Sequence, residues 1–269
     1  MDDIKLIQDT AVTAAGARRF RADQADLITL AKDEHLESLE PYQGSRQRFR
    51  GSLKTNSLLD FASYVKAQTA GIYPGFVDVD RMAATVFFNL GDEEFPGHAD
   101  WRATLSMQPT AAYLALTQAN GRRFSQADLI DWLEDWHHVL NVEFADGNNS
   151  LARAITAIRK LKITTKAEET HVKGDFTASR GALEEVEASS SDALPTAFFL
   201  VTTPYDSLSE RTFTLKLSVL TGGDKPALVL RWLQKEQVQE DIAHEFKQVL
   251  GDQLGDSATL TIGTFEPGK

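Results

Sequence analysis

An α+β fold with a mixed, largely antiparallel sheet is predicted for this sequence by three observations. Segments 75–90 and 101–108 are β-branched and aromatic or alternate with period two, residues 109–162 carry three apolar stripes at helical spacing, and strong strands return beyond 195. The 269 residues, 42% hydrophobic and 25% charged, suffice for one large core or two small ones.

At the start, Ile4, Ile7, Ala11, Ala14 and Ala15 fall at helical spacing behind two aspartates, which predicts a short amphipathic helix ending near Gly16. Ala25 to Ala31 (ADLITLA) has the composition of a strand, and 33–44, broken by Pro41 and Gly44, that of a loop. Ser57 and Asp60 have the spacing of a capping box, and Leu58, Phe61, Ala62 and Val65 then share one face of a helix over 57–69. Phe76, Val77 and Val79, then AATVFFNL from 83 to 90, suggest a hairpin. GDEEFPGHAD is a breaker-rich loop, and Trp101, Ala103, Leu105 and Met107 alternate with polar residues as in a half-buried strand.

Pro109 is suited to the first turn of a helix that runs to Gly121, a C′ glycine. Ser125 and Asp128 repeat the cap spacing, and Leu129, Trp132, Leu133, Trp136, Val139 and Leu140 extend one stripe as far as 140. A third helix follows GNNS, with Leu151, Ala154, Ile155, Ile158 and Leu161 in register and basic residues in its last turn. Residues 109–162 are therefore expected to form a helical layer. Residues 163–188 have no clear period, and EEVEASSSD at 184–192 is the linker candidate. It divides an α+β part, 1–188, from a strand-rich part, 193–269, packed on it or continuous with it. There TAFFLVTT, TFTLKLSVL and ALVLRWL are strands, the last two joined by a TGGDKP turn; a helix near 235–250 and a final strand, ATLTIGTF, follow.

Charge and composition narrow the function. With Lys+Arg 28 against Asp+Glu 39 the formal net charge is -11, which opposes non-specific attraction to phosphate backbones. Zero cysteines exclude disulfide frameworks, thiolate zinc sites, iron–sulfur clusters and cysteine nucleophiles. The acidic start MDDIKLIQDT is unlike a signal peptide and no apolar run is long enough to span a bilayer, so a cytoplasmic protein without membrane contact is expected. GIYPG and TGGDKP match neither phosphate-loop pattern, no nucleophile-elbow signature occurs, and no cofactor is expected.

Four groups of residues remain as candidates. Arg46, Arg48 and Arg50 alternate with Gln47 and Phe49, and in an extended chain all three would share one face able to line phosphates; Arg18, Arg19, Arg21, Arg122 and Arg123 are further basic positions. The excess of acid favours instead their pairing with carboxylates inside or between subunits. Asp92, Glu93, His98 and Asp100 could hold magnesium for a metal-dependent hydrolase of nucleic acids or nucleotides, although their spacing fits no known site and a solvated loop is the simpler reading. Adjacent His137 and His138 diverge by about 100° if helical, too far to share a metal. Trp132 and Trp136, one turn apart, fit a core or a subunit contact better than a ligand face.

SRQRFRGSLKTNSLLDFASYV from 45 to 65 and WRATLSMQPTAAYLALTQANGRRFSQADLIDWLEDW from 101 to 136 resemble the YfdQ-like family of phage and prophage proteins. The likeness continues in the paired strands around Pro204-Tyr205, and its motifs include Phe61 with Tyr64 and the Ser125-Gln126 helix opening. One departure is that His98 precedes Trp101 rather than following it. The resemblance implies a phage accessory protein made in a bacterial cytoplasm, from a gene region concerned with nucleic-acid metabolism or host takeover; it brings no catalytic residues. The function expected is therefore binding or self-assembly on host replication or defence components, with a host protein or nucleic acid as partner. Phe87-Phe88 and Phe198-Phe199 each send one ring to either sheet face, and the cover this demands suggests a homo-oligomer.

Overall fold

The computed structural model describes residues 4, 5, 7, 8, 10, 40–46, 48–69, 71–161, 193–220 and 227–268. Two compact units divide the chain, 1–49 and 50–269. In the first, the described positions 4–10 are helical as expected, with Ile4 and Ile7 exposed, and Glu40–Tyr42 forms a 3-10 turn. The expected strand over 25–31, the segment 163–188, the linker at 184–192 and the TGGDKP turn lie outside the described residues.

The second unit is α+β, with two sheets of five strands each. The first sheet has the order β1-β4-β3-β2-β10, from β1 (Gly51–Thr55), β2 (Tyr73–Asp78), β3 (Ala83–Phe87), β4 (Trp101–Ser106) and β10 (Ala258–Ile262). Its middle is the antiparallel meander that the alternation predicts, and both edge strands are parallel to their neighbours: β1 to β4 and β10 to β2. The second sheet is antiparallel throughout, in the order β5-β9-β8-β7-β6: β5 (Arg123–Phe124), β6 (Leu140–Glu143), β7 (Ala197–Thr202), β8 (Arg211–Leu220) and β9 (Ala227–Trp232).

Helix α1 (Leu58–Lys66) starts at Ser57, whose hydroxyl accepts from the Asp60 N–H, and buries Leu58, Phe61, Ala62 and Val65. Helix α2 (Ala111–Ala119) differs from expectation at its start. Thr110 is the N-cap, while Pro109, which has no N–H to give a helix, is used in a bridge to Tyr205. Gly121 takes the positive φ of a C′ residue, as predicted.

Helix α3 (Gln126–Asp135) carries a complete capping box between Ser125 and Asp128. Ser125→Ala removes one side of that box and is expected to cost about 1 kcal/mol in a urea melt. The stripe does not continue to 140, however: the helix stops at Trp136, a turn follows, and Leu140 begins β6. Helix α4 (Leu151–Lys160) has the predicted basic last turn, and the Gln126 amide donates to the carbonyls of Ile158 and Leu161, closing its C-terminus. The expected helical layer over 109–162 thus includes two strands of the second sheet, β5 and β6.

Helix α5 (Lys235–Leu254) runs 20 residues and buries Ile242, Phe246, Leu250 and Leu254. One continuous apolar core takes in α1 to α5 and the inner faces of both sheets. The paired phenylalanines divide as the alternation requires. Phe198 is buried and Phe199 half-exposed on the outer face of the second sheet; Phe87 lies under Phe265, which also stacks on Phe76 at 4.8 Å. No helix among the described residues is long and apolar enough to cross a membrane.

Candidate binding surfaces

The acidic loop is fastened to its own backbone. Asp92 Oδ1 accepts from the N–H groups of Glu94 and Phe95, and Asp100 Oδ1 accepts from the Asn89 amide, whose oxygen in turn accepts from Trp101 N–H. Gly97 packs so closely that a Cβ there would lie 2.0 Å from the Asn89 carbonyl oxygen. Glu93 and His98 point to solvent, and among the described residues no three His, Asp or Glu side chains gather as a metal site would need. His137 and His138 lie in the turn after α3 rather than on the helix, and His137 Nδ1 is 2.7 Å from the Glu134 carbonyl.

Arg46 and Arg48 fall in the first unit and Arg50 in the second. Arg46 and Arg50 are exposed and Arg48 is half-buried in a bend; β1 starts only at Gly51, so among the described residues of this stretch no strand sets the expected alternation. Arg122 stacks on Phe124 at 4.7 Å, and Arg123 is exposed on β5. Trp132 and Trp136 are half-buried against the core.

The residues that carried the family likeness do structural work. Phe61 is fully buried, Tyr64 accepts from the Trp101 indole at 3.4 Å, and Ser125 and Gln126 cap two helices. At the Pro-Tyr turn, Thr110 donates through its hydroxyl to the Thr203 carbonyl and through its N–H to that of Pro204.

That turn also walls a cavity of about 460 Å³ between α5 and the β2–β3 turn, lined by Tyr113, Tyr205, Met82, Gln239, His244 and Lys247 among others. Burial raises the Tyr113 phenol, and the Tyr205 phenol beside it adds to the rise, against the lowering influence of Gln239 and Arg211; burial likewise raises Tyr205. Both stay protonated at neutral pH and can serve as hydrogen-bond donors. Behind them, Arg211 pairs with Glu245 at 2.7 Å, and Glu245 also accepts from the Ser209 N–H. Burial opposes ionisation of Glu245, but the Ser209 and Arg211 contacts outweigh it and hold its carboxyl below the ordinary value.

Sequence reasoning missed two surfaces. One is the outer edge of β10, which closes the first sheet. The other is the outer face of the second sheet, where Lys216 and Arg231 stand opposite each other in the β8–β9 register. Period two in TFTLKLSVL and ALVLRWL places each of them on the polar side of its strand, but only the pairing register brings them together.

Residues 1–265 match the model of an uncharacterized conserved protein, DUF2303. The chain belongs to that family. No curated protein and no solved structure matches this DUF2303 chain. The functional reading of the DUF2303 chain therefore rests on its own surfaces.

Proposed function

We propose that the protein is a non-enzymatic accessory protein of phage or prophage, YfdQ-like within its family, that works in the bacterial cytoplasm by binding and self-assembly on host replication or defence components. The observation that carries the assembly is strand β10, ATLTI. It is an edge strand with no charge and no proline, the devices by which sheets commonly protect an edge. Gly263 donates to the Val77 carbonyl, so alternation turns the N–H and C=O groups of Leu260 and Ile262 away from β2. Among the described residues no backbone group takes them up. Two copies pairing antiparallel along β10 would satisfy these groups across a two-fold axis and join two five-stranded sheets into one.

Light scattering coupled to size exclusion is expected to give at least twice the 29.7 kDa chain mass at micromolar concentration. Thr259→Lys with Thr261→Lys, two exposed positions that would place like charges along the paired edge, should return the particle to one chain. A parent protein already at 29.7 kDa refutes the assembly.

A further inference from the structure

The outer face of the second sheet holds opposed positive charges that no carboxylate among the described residues pairs with. Lys216 on β8 and Arg231 on β9 are directly opposed and both exposed. Like charges opposed across a strand pair destabilise a sheet, and a carboxylate beside them would be the ordinary relief. Among the described residues none pairs with either. Arg123 on β5, opposite Val229, adds a third cation one strand further on. Glu143, the acid that the described strands contribute to this face, sits on the far edge strand with β7 between it and Lys216.

The same face offers more than charge. Phe199 is half-exposed between Asn141 on β6 and Thr214 on β8. Thr212 and Ser218 continue the row of hydroxyls along β8. At one end the face runs into an open groove of about 770 Å³, whose walls include Thr214, Arg231, Trp232, Lys235 and Glu236. Helix α5 begins there, and Gln234 at its N-cap makes no side-chain cap bond; Glu236 in the first turn offsets part of the positive charge that the helix end, Arg231 and Lys235 bring to the groove. Trp232 is 4% exposed, and its indole N–H has no hydrogen-bond partner among the described residues.

We infer that this face binds a single strand of nucleic acid, with phosphates at Arg231, Lys235 and Lys216 and a base stacked on Phe199. The hydroxyls of β8 and the Asn141 amide are the donors and acceptors for base edges. An acidic peptide would satisfy the cations but leave the ring unused, and a duplex keeps its bases stacked on one another, away from Phe199. The net charge of -11 opposes binding of a polyanion, so binding at this face is strongly salt-sensitive. The inference is independent of self-assembly through β10.

Fluorescence anisotropy with a short labelled oligothymidylate tests it. Binding at low ionic strength should fall with salt at a log–log slope of about -0.7 for each phosphate neutralised. Lys216→Glu places opposite charges across the strand pair, so it should leave the fold as stable or more so while weakening oligonucleotide binding on the order of tenfold. Phe199→Ala should weaken it roughly fivefold to a hundredfold, the range for loss of one base–aromatic stack. The inference is overturned by a parent protein that does not bind the oligonucleotide at low salt. It is also overturned if poly-glutamate competes as well as the oligonucleotide, or if binding survives Lys216→Glu and is lost instead on Arg46→Glu, Arg48→Glu and Arg50→Glu together.

Discussion

Replacing Phe213 by Ala is expected to lower the stability of the second unit by about 3–5 kcal/mol, a large fraction of what holds a domain folded. Phe213 is fully buried, and its ring centroid lies 5.4 Å from those of both Tyr113 and Trp232. The truncation therefore removes transfer free energy and leaves a void between rings too rigid to collapse into it. Because Tyr113 also lines the cavity beside α5, the void would loosen that wall as well. Urea denaturation measures the cost. Phe95→Ala, at a position 73% exposed, is the comparison and should stay within about 0.5 kcal/mol of the parent.

Glu245→Ala is expected to cost about 1.5–3 kcal/mol at neutral pH, because it strips charge-assisted hydrogen bonds from Arg211 and Ser209. Among the described residues the Arg211 guanidinium would keep a 3.3 Å contact to the Asp241 carbonyl and no other, its Nε having no partner there. The pH dependence follows from the sign of the shift. Glu245 has a folded-state pKa below its unfolded one, so its contribution is complete above the ordinary glutamate range and is lost as pH falls through the folded-state value. The stability difference between parent and variant should thus be constant above about pH 5 and shrink on acidification below it. A difference that grew in acid would contradict the pairing.

Local signals carried most of the elements. The Ser125–Asp128 box, the positive-φ Gly121 and the alternation through Trp101–Ser106 depend on neighbours in sequence, and each stands where those neighbours put it. Where the expected and observed elements differ, a distant partner decides. Val139 and Leu140 happen to fall in phase with the α3 stripe, but Val139 takes the Val201 N–H and Leu140 pairs with Leu200, so the chain there belongs to the sheet. Pro109 is suited to open a helix and is held instead by Tyr205, almost a hundred residues away.

The candidate sites divide in the same way. Alternation alone places Lys216 and Arg231 on the polar sides of their strands, yet no pattern in one strand shows which residue it will face across the ladder. For Arg46, Arg48 and Arg50 the alternation is plain in the sequence, but the described residues of that stretch form no strand to give it meaning. The acidic loop resembles a cation site because its carboxylates are close in sequence; Asp92 and Asp100 instead accept from groups of the loop and its flanks.

The parallel edges of the first sheet bear on how the protein is made. β1 begins at Gly51 and β10 ends at Ile262, so the sheet is assembled from nearly opposite ends of the second unit. A ribosome adding about 5–20 residues each second needs roughly ten to forty seconds between the two strands, and throughout that interval β2 has an open flank. Completion of the sheet waits for β10 to leave the exit tunnel, so folding of this unit is dominated by long-range contacts. Nascent chains would meanwhile present the β2 edge to chaperones, or to the β10 of a neighbour on the same message. The strand that completes the fold is then also the one by which two growing copies could exchange ends.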